Sequence, residues 1–304
     1  MKIGYLAITD ICNYKCRNCP YKMRDKKIIP YEDIKKYIDE SDNIIQGVVL
    51  SGGEPTLHPD FIKILSYLNK KGKYITILSN GSRLASQDFI NNVKSNVDLN
   101  KLNVVMTLYS INEKKHDKGT GINGSYKNTL KALKMLYENQ IKVILKHCIS
   151  NENYKELPRF FKYINKKIPS DISLQLTTLD FSGMNEKLKK ENYFTYSMSK
   201  KYINKALKRF DNKRNINIVN TPFCAMDSQY WKYVVKKQKK AYEGYKSIKT
   251  QATNVGYDCG CLSELCRKCK MLEECPGVYK ANYEFIGDNL VNPISVEEMW
   301  HVIQ

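Results

Sequence analysis

The chain has 304 residues and is 42% hydrophobic, which suffices for one large domain plus an appendage or for two domains. No stretch approaches the roughly 18 apolar residues of a membrane-spanning helix, and the N-terminus lacks a secretory pattern, so we expect a cytoplasmic protein. The formal net charge is +19, but the lysines are scattered in pairs along the chain. Such a diffuse basic surface favours an acidic protein or peptide over nucleic acid as partner.

Apolar runs rich in β-branched residues alternate with amphipathic runs over the first two-thirds of the chain. We predict strands at residues 3–9, 45–50, 74–78, 102–108, 141–149 and 172–176. Helical spacing of apolar residues predicts helices at residues 31–41, 60–71, 86–93, 125–139 and 155–166. This alternation predicts an α/β fold with parallel strands joined by helical crossovers. Six units in about 180 residues fit a partial (β/α)6 TIM-like barrel better than a full eight-stranded one.

Polar and small residues follow four of the predicted strands. They are Thr9-Asp10-Ile11-Cys12, Ser51-Gly52-Gly53-Glu54, Ser79-Asn80-Gly81 and Thr107-Leu108-Tyr109-Ser110. Because active sites of α/β barrels lie at the carboxyl ends of the strands, these groups predict a site at that edge.

The pattern changes after Gly183. A charged run at residues 187–211 predicts one helix, and an aromatic, very basic run at 228–245 predicts another. A cysteine-rich segment follows at residues 259–275. We place a domain boundary between residues 185 and 215.

Ten cysteines in a chain without a secretory signal argue for metal binding or catalysis rather than disulfides. Cys12, Cys16 and Cys19 have the spacing to hold three corners of an iron–sulfur cubane from one loop, which would leave the fourth iron open. A zinc site begun by the same three thiolates is the alternative.

Four segments together carry a resemblance to a known family: CNYKCRNC at 12–19, SGGEP at 51–55, LSNGS at 78–82 and MTLYSINEKKHDKGTGINGSYKNTLKAL at 106–133. They resemble the radical S-adenosylmethionine (SAM) superfamily, and most of all its peptide- and cofactor-maturing branch. The resemblance implies a 4Fe–4S cluster on Cys12, Cys16 and Cys19, whose open iron chelates the amino and carboxylate groups of SAM. One-electron reduction would then release a 5′-deoxyadenosyl radical.

The resemblance also implies SAM-binding residues at the strand ends. Gly52, Gly53 and Glu54 match the family's GGE turn, in which the glutamate accepts a bond from the SAM ammonium; an ordinary strand-to-loop turn is the alternative. Ser79 and Asn80 match a contact to the methionine or ribose of SAM.

Three further positions are less regular. Thr107 stands where relatives often have Ser, and Tyr109 stands where they often have Asp, so a polar contact at position 109 is not expected. His116-Asp117 matches a family pattern with two interpretations, a substrate contact or a polar pair that caps a loop.

The C-terminal run Cys266-x2-Cys269-x5-Cys275 resembles part of the auxiliary-cluster domains of the SPASM and twitch types. The full SPASM pattern has a cysteine four positions later, where this chain has Tyr279. We therefore expect at least one auxiliary 4Fe–4S cluster on these three cysteines, with structural zinc as the alternative. Three other cysteines are candidates for the fourth ligand: Cys224, Cys259 and Cys261.

The resemblance predicts a radical SAM core at residues 1–200 and an auxiliary-cluster domain at residues 201–304. It implies hydrogen abstraction from a ribosomally synthesised peptide, leading to epimerisation, a crosslink or dehydrogenation, with an electron donor of the flavodoxin or ferredoxin type. Cys148 ends a predicted strand and is either a hydrogen donor to a substrate radical or a small core residue. A small-molecule or nucleoside substrate is the second interpretation, and a zinc-containing nucleic-acid-binding protein is the third.

Overall fold

The structure is a computed structural model that describes residues 2–19, 26–210, 213–237 and 259–295. Seven strands follow one another in a single sheet in chain order: β1 (Ile3–Thr9), β2 (Gly47–Gly52), β3 (Tyr74–Ser79), β4 (Leu102–Thr107), β5 (Lys142–Ile149), β6 (Ser173–Thr178) and β7 (Ile216–Val219). The helices are α1 (Tyr31–Glu40), α2 (Phe61–Lys70), α3 (Gln87–Lys94), α4 (Glu113–Thr120), α5 (Ser125–Glu138), α6 (Leu157–Lys167), α7 (Glu186–Glu191), α8 (Tyr196–Leu207) and α9 (Lys280–Ile286). A short pair, β8 (Cys259–Gly260) and β9 (Val278–Tyr279), forms a separate antiparallel sheet.

Neighbouring strands run parallel in the pairs β1–β2, β2–β3, β3–β4 and β6–β7. Helices lie between consecutive strands in the chain, which is the crossover arrangement that parallel pairing requires. The predicted α/β class is therefore confirmed, with seven strands instead of six. The seventh, β7, has only four residues, too short for its alternation to stand out in the sequence.

The described residues divide into two compact units, residues 2–145 and residues 146–295 with their gaps. The first unit contains β1 to β4 and α1 to α5, and β5 begins in it. Its helices bury one apolar face: α2, for example, buries Phe61, Ile64, Leu65 and Leu68, the spacing of one helical stripe.

Helix α5 begins with a cap supplied by Asp117. The Asp117 carboxylate accepts bonds from the backbone N–H of Gly124 (2.6 Å) and Tyr126 (2.8 Å) and from the Ser125 hydroxyl (2.8 Å). A carboxylate at a helix N-terminus satisfies free N–H groups and complements the helix dipole. Although burial opposes them, these hydrogen bonds hold the pKa of Asp117 below its usual range. Of the two interpretations of Asp117, a substrate contact or a polar cap, the structure supports the cap.

The second unit differs from the predicted helices in two places. The single helix expected at residues 187–211 is two helices, because α7 ends at Glu191 and Thr195 caps α8 by accepting a bond from the Met198 N–H (3.3 Å). The second helix was expected at residues 228–245. Residues 228–233 form a 3-10 helix, and residues 238–245 lie outside the described ranges. Among the described residues, no helix has the length and apolarity needed to cross a membrane.

Candidate active site and cysteine recess

The three N-terminal cysteines lie on the loop that follows β1, and each is half-buried. The Tyr14 N–H donates to Cys12 Sγ at 3.4 Å, and the Cys19 N–H donates to the Cys16 carbonyl oxygen at 3.3 Å. The first bond stabilises a thiolate on Cys12, and the second closes a turn between Cys16 and Cys19.

The end of α4 holds the same loop in place. The N–H groups of Lys15 and Arg17 donate to the carbonyl oxygens of Thr120 (3.0 Å) and Gly119 (2.9 Å). Gly121 ends the helix in the left-handed conformation, and a Cβ there would lie 2.5 Å from the Lys15 carbonyl oxygen. The sequence segment 106–133 therefore supports the cysteine loop by direct backbone contact.

Two glycines bring the end of β2 against the start of the cysteine loop. The Gly53 N–H donates to the Thr9 carbonyl (2.6 Å), and the Glu54 N–H donates to the Ile11 carbonyl (2.8 Å). A Cβ on Gly52, whose φ is +127°, would lie 2.1 Å from the Thr9 oxygen, and one on Gly53 would lie 2.3 Å from the Ile11 oxygen. From the sequence, these glycines were expected to let a bound ligand approach the backbone. In the structure they are required for the contact between two backbone segments.

Glu54 is buried at the centre of this edge, with 1% of its surface exposed. Its Oε1 accepts bonds from the Thr56 N–H (3.2 Å), the Thr56 hydroxyl (2.7 Å) and the Ser79 hydroxyl (2.9 Å). Its Oε2 accepts one bond from the Asn80 N–H (2.6 Å), so this oxygen has acceptor capacity for a further donor. Burial raises the pKa of Glu54, while these bonds oppose the rise. Sequence reasoning missed Thr56, which lies two residues beyond the carboxylate it binds.

Asn80 connects the end of β3 to the cysteine loop. Its Nδ2 donates to Asn13 Oδ1 at 2.8 Å and approaches Cys12 Sγ at 3.8 Å, while its Oδ1 accepts the Ser82 N–H at 2.8 Å. The structure therefore brings Cys12, Glu54, Ser79 and Asn80 into one bonded network. Sequence reasoning missed Asn13, although it directly follows the first cysteine.

Thr107 is the last residue of β4 and lies at the same edge. The register of β3 and β4 pairs Ser79 with Met106, which sets Thr107 beside Asn80 along the edge. Like Gly52 and Ser79, Thr107 thus ends a strand of this sheet.

The rings of Tyr109 and His116 pack against each other. Their rings meet edge to face with centroids 6.0 Å apart, and Tyr126 meets the other side of His116 at 5.6 Å. His116 is fully buried, and desolvation lowers its pKa to about 4, so the imidazole is neutral at pH 7. These contacts give His116 a packing role.

This edge suits a cluster that keeps one iron open. It offers three thiol ligands on one loop, which are the soft ligands that iron–sulfur clusters take. Bonded polar groups lie next to Cys12, and Glu54 Oε2 has acceptor capacity left for a further donor.

The second unit contains a recess lined by five cysteines. They are Cys224, Cys261, Cys266, Cys269 and Cys275. Apolar side chains complete the lining, among them Phe223, Met271, Leu272, Val278 and Ile294, around about 370 Å³ of empty space that includes the open mouth. Five converging thiols in an apolar setting suit an iron–sulfur cluster bound by protein ligands alone.

Within the recess the thiols interact with one another. Cys261 lies within hydrogen-bonding reach of Cys266 and Cys275, and this contact lowers the pKa of Cys275 to about 6 and also lowers the pKa of Cys266. Burial raises the pKa of Cys224 to about 12. Three cysteines were considered for a fourth ligand. Cys224 and Cys261 line the recess, whereas Cys259 is not part of its lining.

Tyr279, at the position of the missing SPASM cysteine, bonds to the ends of two strands. Its hydroxyl accepts a bond from Asn220 Nδ2 (2.9 Å) and shares one with the Thr177 hydroxyl (3.2 Å). Nearby, a Cβ on Gly277 would lie 2.1 Å from the Gly260 carbonyl carbon, so glycine is required where β8 meets β9. Tyr279 thereby anchors the cysteine-rich segment to β6 and to the residue after β7.

Cys148 lies near the end of β5, on the sheet face opposite α6. Its neighbour His147 stacks on Phe160 of α6 with centroids 4.0 Å apart, so alternation turns Cys148 and Lys146 to the other face. Burial raises the pKa of Cys148, with Lys146 and Asp180 near enough to influence it. The group is thus a protonated thiol at neutral pH.

Across the described ranges, no three His, Cys, Asp or Glu side chains converge closely enough to share a single metal ion. A cubane does not require such convergence, because each thiolate binds a different iron.

The chain is similar to known proteins in sequence and in fold. The family model described as "Radical SAM superfamily" matches residues 6–164, just over half of the chain. The antilisterial bacteriocin subtilosin biosynthesis protein AlbA of Bacillus subtilis (strain 168) is 30% identical over 155 residues, which is 49% of this chain and 34% of AlbA. A probable GTP 3′,8-cyclase of Methanococcus maripaludis is 29% identical over 191 residues, 60% of each protein. The chain thus spans less than two-thirds of the length of these relatives.

Solved structures extend the likeness of fold to nearly the whole chain. Native anSMEcpe with bound AdoMet and Cp18Cys peptide superposes with a TM-score of 0.62 at 15% identity, over 99% of this chain and 95% of that one. Streptococcus suis SuiB bound to its precursor peptide SuiA gives 0.61 at 15% identity, over 97% of this chain and 75% of that one. The likeness confirms the predicted incomplete α/β barrel.

Proposed function

Because the chain belongs to the radical SAM superfamily, we propose that it abstracts hydrogen from a ribosomally synthesised peptide and so epimerises, crosslinks or dehydrogenates it. The chain is a radical SAM enzyme, which sets aside the interpretation as a zinc-containing nucleic-acid-binding protein. The observation that carries the proposal is the edge where Cys12, Glu54 and Asn80 join one network beside the cysteine loop. We also propose a cytoplasmic location.

Different residues of this edge would bind the cluster and SAM. Cys12, Cys16 and Cys19 would hold the 4Fe–4S cluster, which together with SAM supplies the 5′-deoxyadenosyl radical. The remaining acceptor capacity of Glu54 Oε2 suits the SAM ammonium, because a charge-assisted bond would offset the cost of burying that carboxylate.

The ends of β3 and β4 would bind the rest of SAM. Ser79 and Asn80 are held by Glu54, so the SAM-binding surface is ordered before the ligand arrives, and Thr107 extends the same edge. Gly52 and Gly53 keep the β2 turn against the cysteine loop. Preorganisation of this kind limits the entropy lost when the ligand binds.

Cys148 is the proposed hydrogen donor if the reaction is an epimerisation. It lies on the face of β5 that α6 does not cover, and burial keeps it protonated, so it retains the S–H bond that a carbon radical needs. Donation would return a hydrogen atom to the substrate carbon and leave a thiyl radical on Cys148. One electron and one proton from the electron donor and solvent would then restore the thiol.

The C-terminal recess is the proposed site of an auxiliary 4Fe–4S cluster, within a domain of residues 201–304 that follows a core of residues 1–200. Its five cysteines and apolar lining support this assignment. We propose a donor of the flavodoxin or ferredoxin type, which would be acidic and so complement a chain of net charge +19.

The peptide proposal is supported by relatives that act in peptide pathways or were solved with peptides. AlbA is named for subtilosin biosynthesis, and SuiB was solved with its precursor peptide. The test is incubation of anaerobically reconstituted full-length protein with SAM, reductant and short peptides encoded beside its gene, in deuterated water. A mass change in one peptide, matched by 5′-deoxyadenosine, is the expected result.

A small-molecule substrate is the second candidate, because the probable GTP 3′,8-cyclase aligns over 60% of this chain. The same assay with GTP and cell-derived metabolites distinguishes the two. Unchanged peptides alongside a converted metabolite would overturn the peptide proposal.

A further inference from the structure

The loop that carries Cys12, Cys16 and Cys19 also carries basic side chains. Lys15 and Arg17 flank Cys16 in the sequence, and Lys15 is exposed. The backbone N–H groups of Lys15 and Arg17 donate to carbonyl oxygens in the last turn of α4, at 3.0 and 2.9 Å. The loop and the end of α4 therefore form one continuous surface.

The side of α4 that faces solvent is basic. His116 and Thr120 are buried on the opposite side of this helix. The exposed side carries Lys114, Lys115 and Lys118. Because Lys114 and Lys118 are one helical turn apart, they share one face.

The carboxylates of α4 do not neutralise these lysines. Glu113 forms an ion pair with Lys127 of α5 at 3.1 Å, and Asp117 accepts bonds from the N-terminus of α5. Both carboxylates are thus engaged with the neighbouring helix. Within the part of the chain that the structure describes, neither Lys114 nor Lys118 forms an ion pair. The outer side of α4 therefore keeps its positive charge.

The arrangement of charges differs in other helices of this unit. In α1 and α5, lysines pair with carboxylates one turn away, at 3.0 Å for Lys35–Asp39 and 3.6 Å for Lys134–Glu138. In α4, the residue one turn after Lys114 is another lysine, and like charges at this spacing destabilise a helix. An anionic partner on this face would offset that repulsion.

We propose that a small acidic one-electron carrier protein docks on this basic face, which comprises Lys15, Arg17, Lys114, Lys115 and Lys118. The inference deepens the proposed function and rests on it, because the carrier would reduce the cluster held by the cysteine loop. One electron leaves the reduced carrier and enters that cluster, and no bond forms or breaks in the transfer. Opposite charges accelerate and orient such an encounter, and added salt weakens the effect.

The test compares three reconstituted full-length proteins: the natural sequence, the α4 variant Lys114→Glu/Lys118→Glu, and the control variant Lys70→Glu/Lys142→Glu. Lys70 and Lys142 are exposed where α2 ends and β5 begins, at the amino-terminal edge of the sheet. The control therefore has the same net charge as the α4 variant, with the change placed away from the cysteine loop.

Binding is measured first, by titration calorimetry with an oxidised acidic flavodoxin as the probe. At low salt, the α4 variant should bind flavodoxin about tenfold more weakly than the natural sequence, and the control should bind nearly as well as the natural sequence. The difference should largely disappear at about 0.5 M salt, where charges are screened. Carbodiimide, which joins lysines to carboxylates in contact, should cross-link flavodoxin to the natural protein at Lys15, Lys114, Lys115 or Lys118.

Turnover separates docking from the chemistry at the cluster. With reduced flavodoxin as the electron source, the α4 variant should release 5′-deoxyadenosine with a KM for flavodoxin raised about tenfold. With dithionite, a small reductant that needs no docking surface, it should match the natural protein. If the natural protein releases no 5′-deoxyadenosine with dithionite, the proposed function fails, while binding and cross-linking still decide the docking surface.

Equal affinity for flavodoxin in the α4 and control variants would overturn the proposal. Cross-links confined to Lys268 and Lys270, which are exposed beside the recess cysteines in sequence, would also overturn it. The same holds if the α4 variant binds flavodoxin normally but loses an acidic substrate peptide. Circular dichroism identifies a variant that misfolds, and the cross-links to the natural protein decide the question without any variant.

Discussion

The cysteines of the N-terminal loop lie among polar groups, whereas those of the C-terminal recess lie among apolar side chains. Cys12 neighbours the amide of Asn80, which bonds to Glu54, while Met271, Leu272 and Ile294 line the recess. Under the proposed function, three thiolates beside the acceptor capacity of Glu54 would leave a cluster that can take a ligand. Five thiols among apolar side chains would hold a cluster through protein ligands alone, which suits an electron-transfer role.

Both regions depend on glycines where two backbone segments touch, and replacing them should have the largest effect on stability. In Gly53→Ala and Gly277→Ala the new Cβ would meet backbone atoms at 2.3 and 2.1 Å, so the segments must separate. We expect a loss of about 3 kcal/mol in the free energy of unfolding for each, measured by urea denaturation. Gly53→Ala should impair SAM binding and spare the iron of the recess, and Gly277→Ala should do the reverse.

Gly124→Ala is the control for these variants, since Gly124 has φ +80° and no atom within 4 Å of a new Cβ. It should cost only the conformational strain, about 1 kcal/mol. Gly277 has a similar φ of +74°, so an equal loss in Gly277→Ala and Gly124→Ala would show that conformation, rather than close contact, explains the glycine at position 277.

The N-terminal region should also be the more sensitive to acid, through His116. Its folded pKa of about 4 lies below the ordinary 6.5, so the unfolded chain binds the proton more readily, and stability should fall as pH drops through this window. The loss should reach about 3 kcal/mol at pH 4. Hydrogen exchange should show early opening at Lys15 and Arg17, which bond to the end of α4.

His116→Phe should flatten this pH dependence while keeping the ring contacts with Tyr109 and Tyr126. Asp117 will still contribute to acid sensitivity, because its lowered pKa also favours the folded state only above acidic pH. An unchanged slope between pH 6.5 and 4 in His116→Phe would contradict the role given to the imidazole.

Glu54→Gln tests whether the polar network itself stabilises the site. Either orientation of the amide turns its NH2 group toward an N–H or hydroxyl donor, because both oxygens of Glu54 accept bonds. We expect a loss of about 2 kcal/mol, from thermal or urea unfolding. Glu113→Gln, on the exposed side of α4, should change stability by less than about 0.5 kcal/mol. Equal effects of the two variants would refute the network's contribution.

The smallest effect is expected for Tyr279→Phe in the second unit. The variant removes one hydroxyl and leaves Thr177 and Asn220 without that partner, a cost of about 1 kcal/mol. Iron in the recess should be unchanged, because Tyr279 contributes anchoring and not a ligand. Loss of iron would show that this position still serves the cluster directly.

The sequence allowed the strand–helix order to be predicted because each element carries its own periodicity. It did not predict β7, which is four residues long, or the break at Asn192–Thr195, where a capping side chain interrupts a continuous helical pattern. In such short segments the secondary structure is decided by tertiary contacts, which the local sequence pattern does not show.

The candidate site was predictable in its residues but not in their partners. Motif order identified Glu54 and Asn80, whereas the bonds from Thr56 and Asn13 appear only when distant strand ends meet. Likewise, Cys224 lies far from the cysteine-rich run in sequence, so spacing left it one candidate among three. Folding brings Cys224 into the lining of the recess, whereas Cys259 lies outside that lining.

The most direct test of the central claim, that the N-terminal loop alone holds the cluster that reacts with SAM, compares two reconstituted full-length proteins. One has the natural sequence, and the other carries Cys12→Ala, Cys16→Ala and Cys19→Ala. With SAM and dithionite, the first should release 5′-deoxyadenosine, and the second should release none while it still contains recess iron. Release of 5′-deoxyadenosine by the triple variant, or none from the natural sequence, would contradict the account.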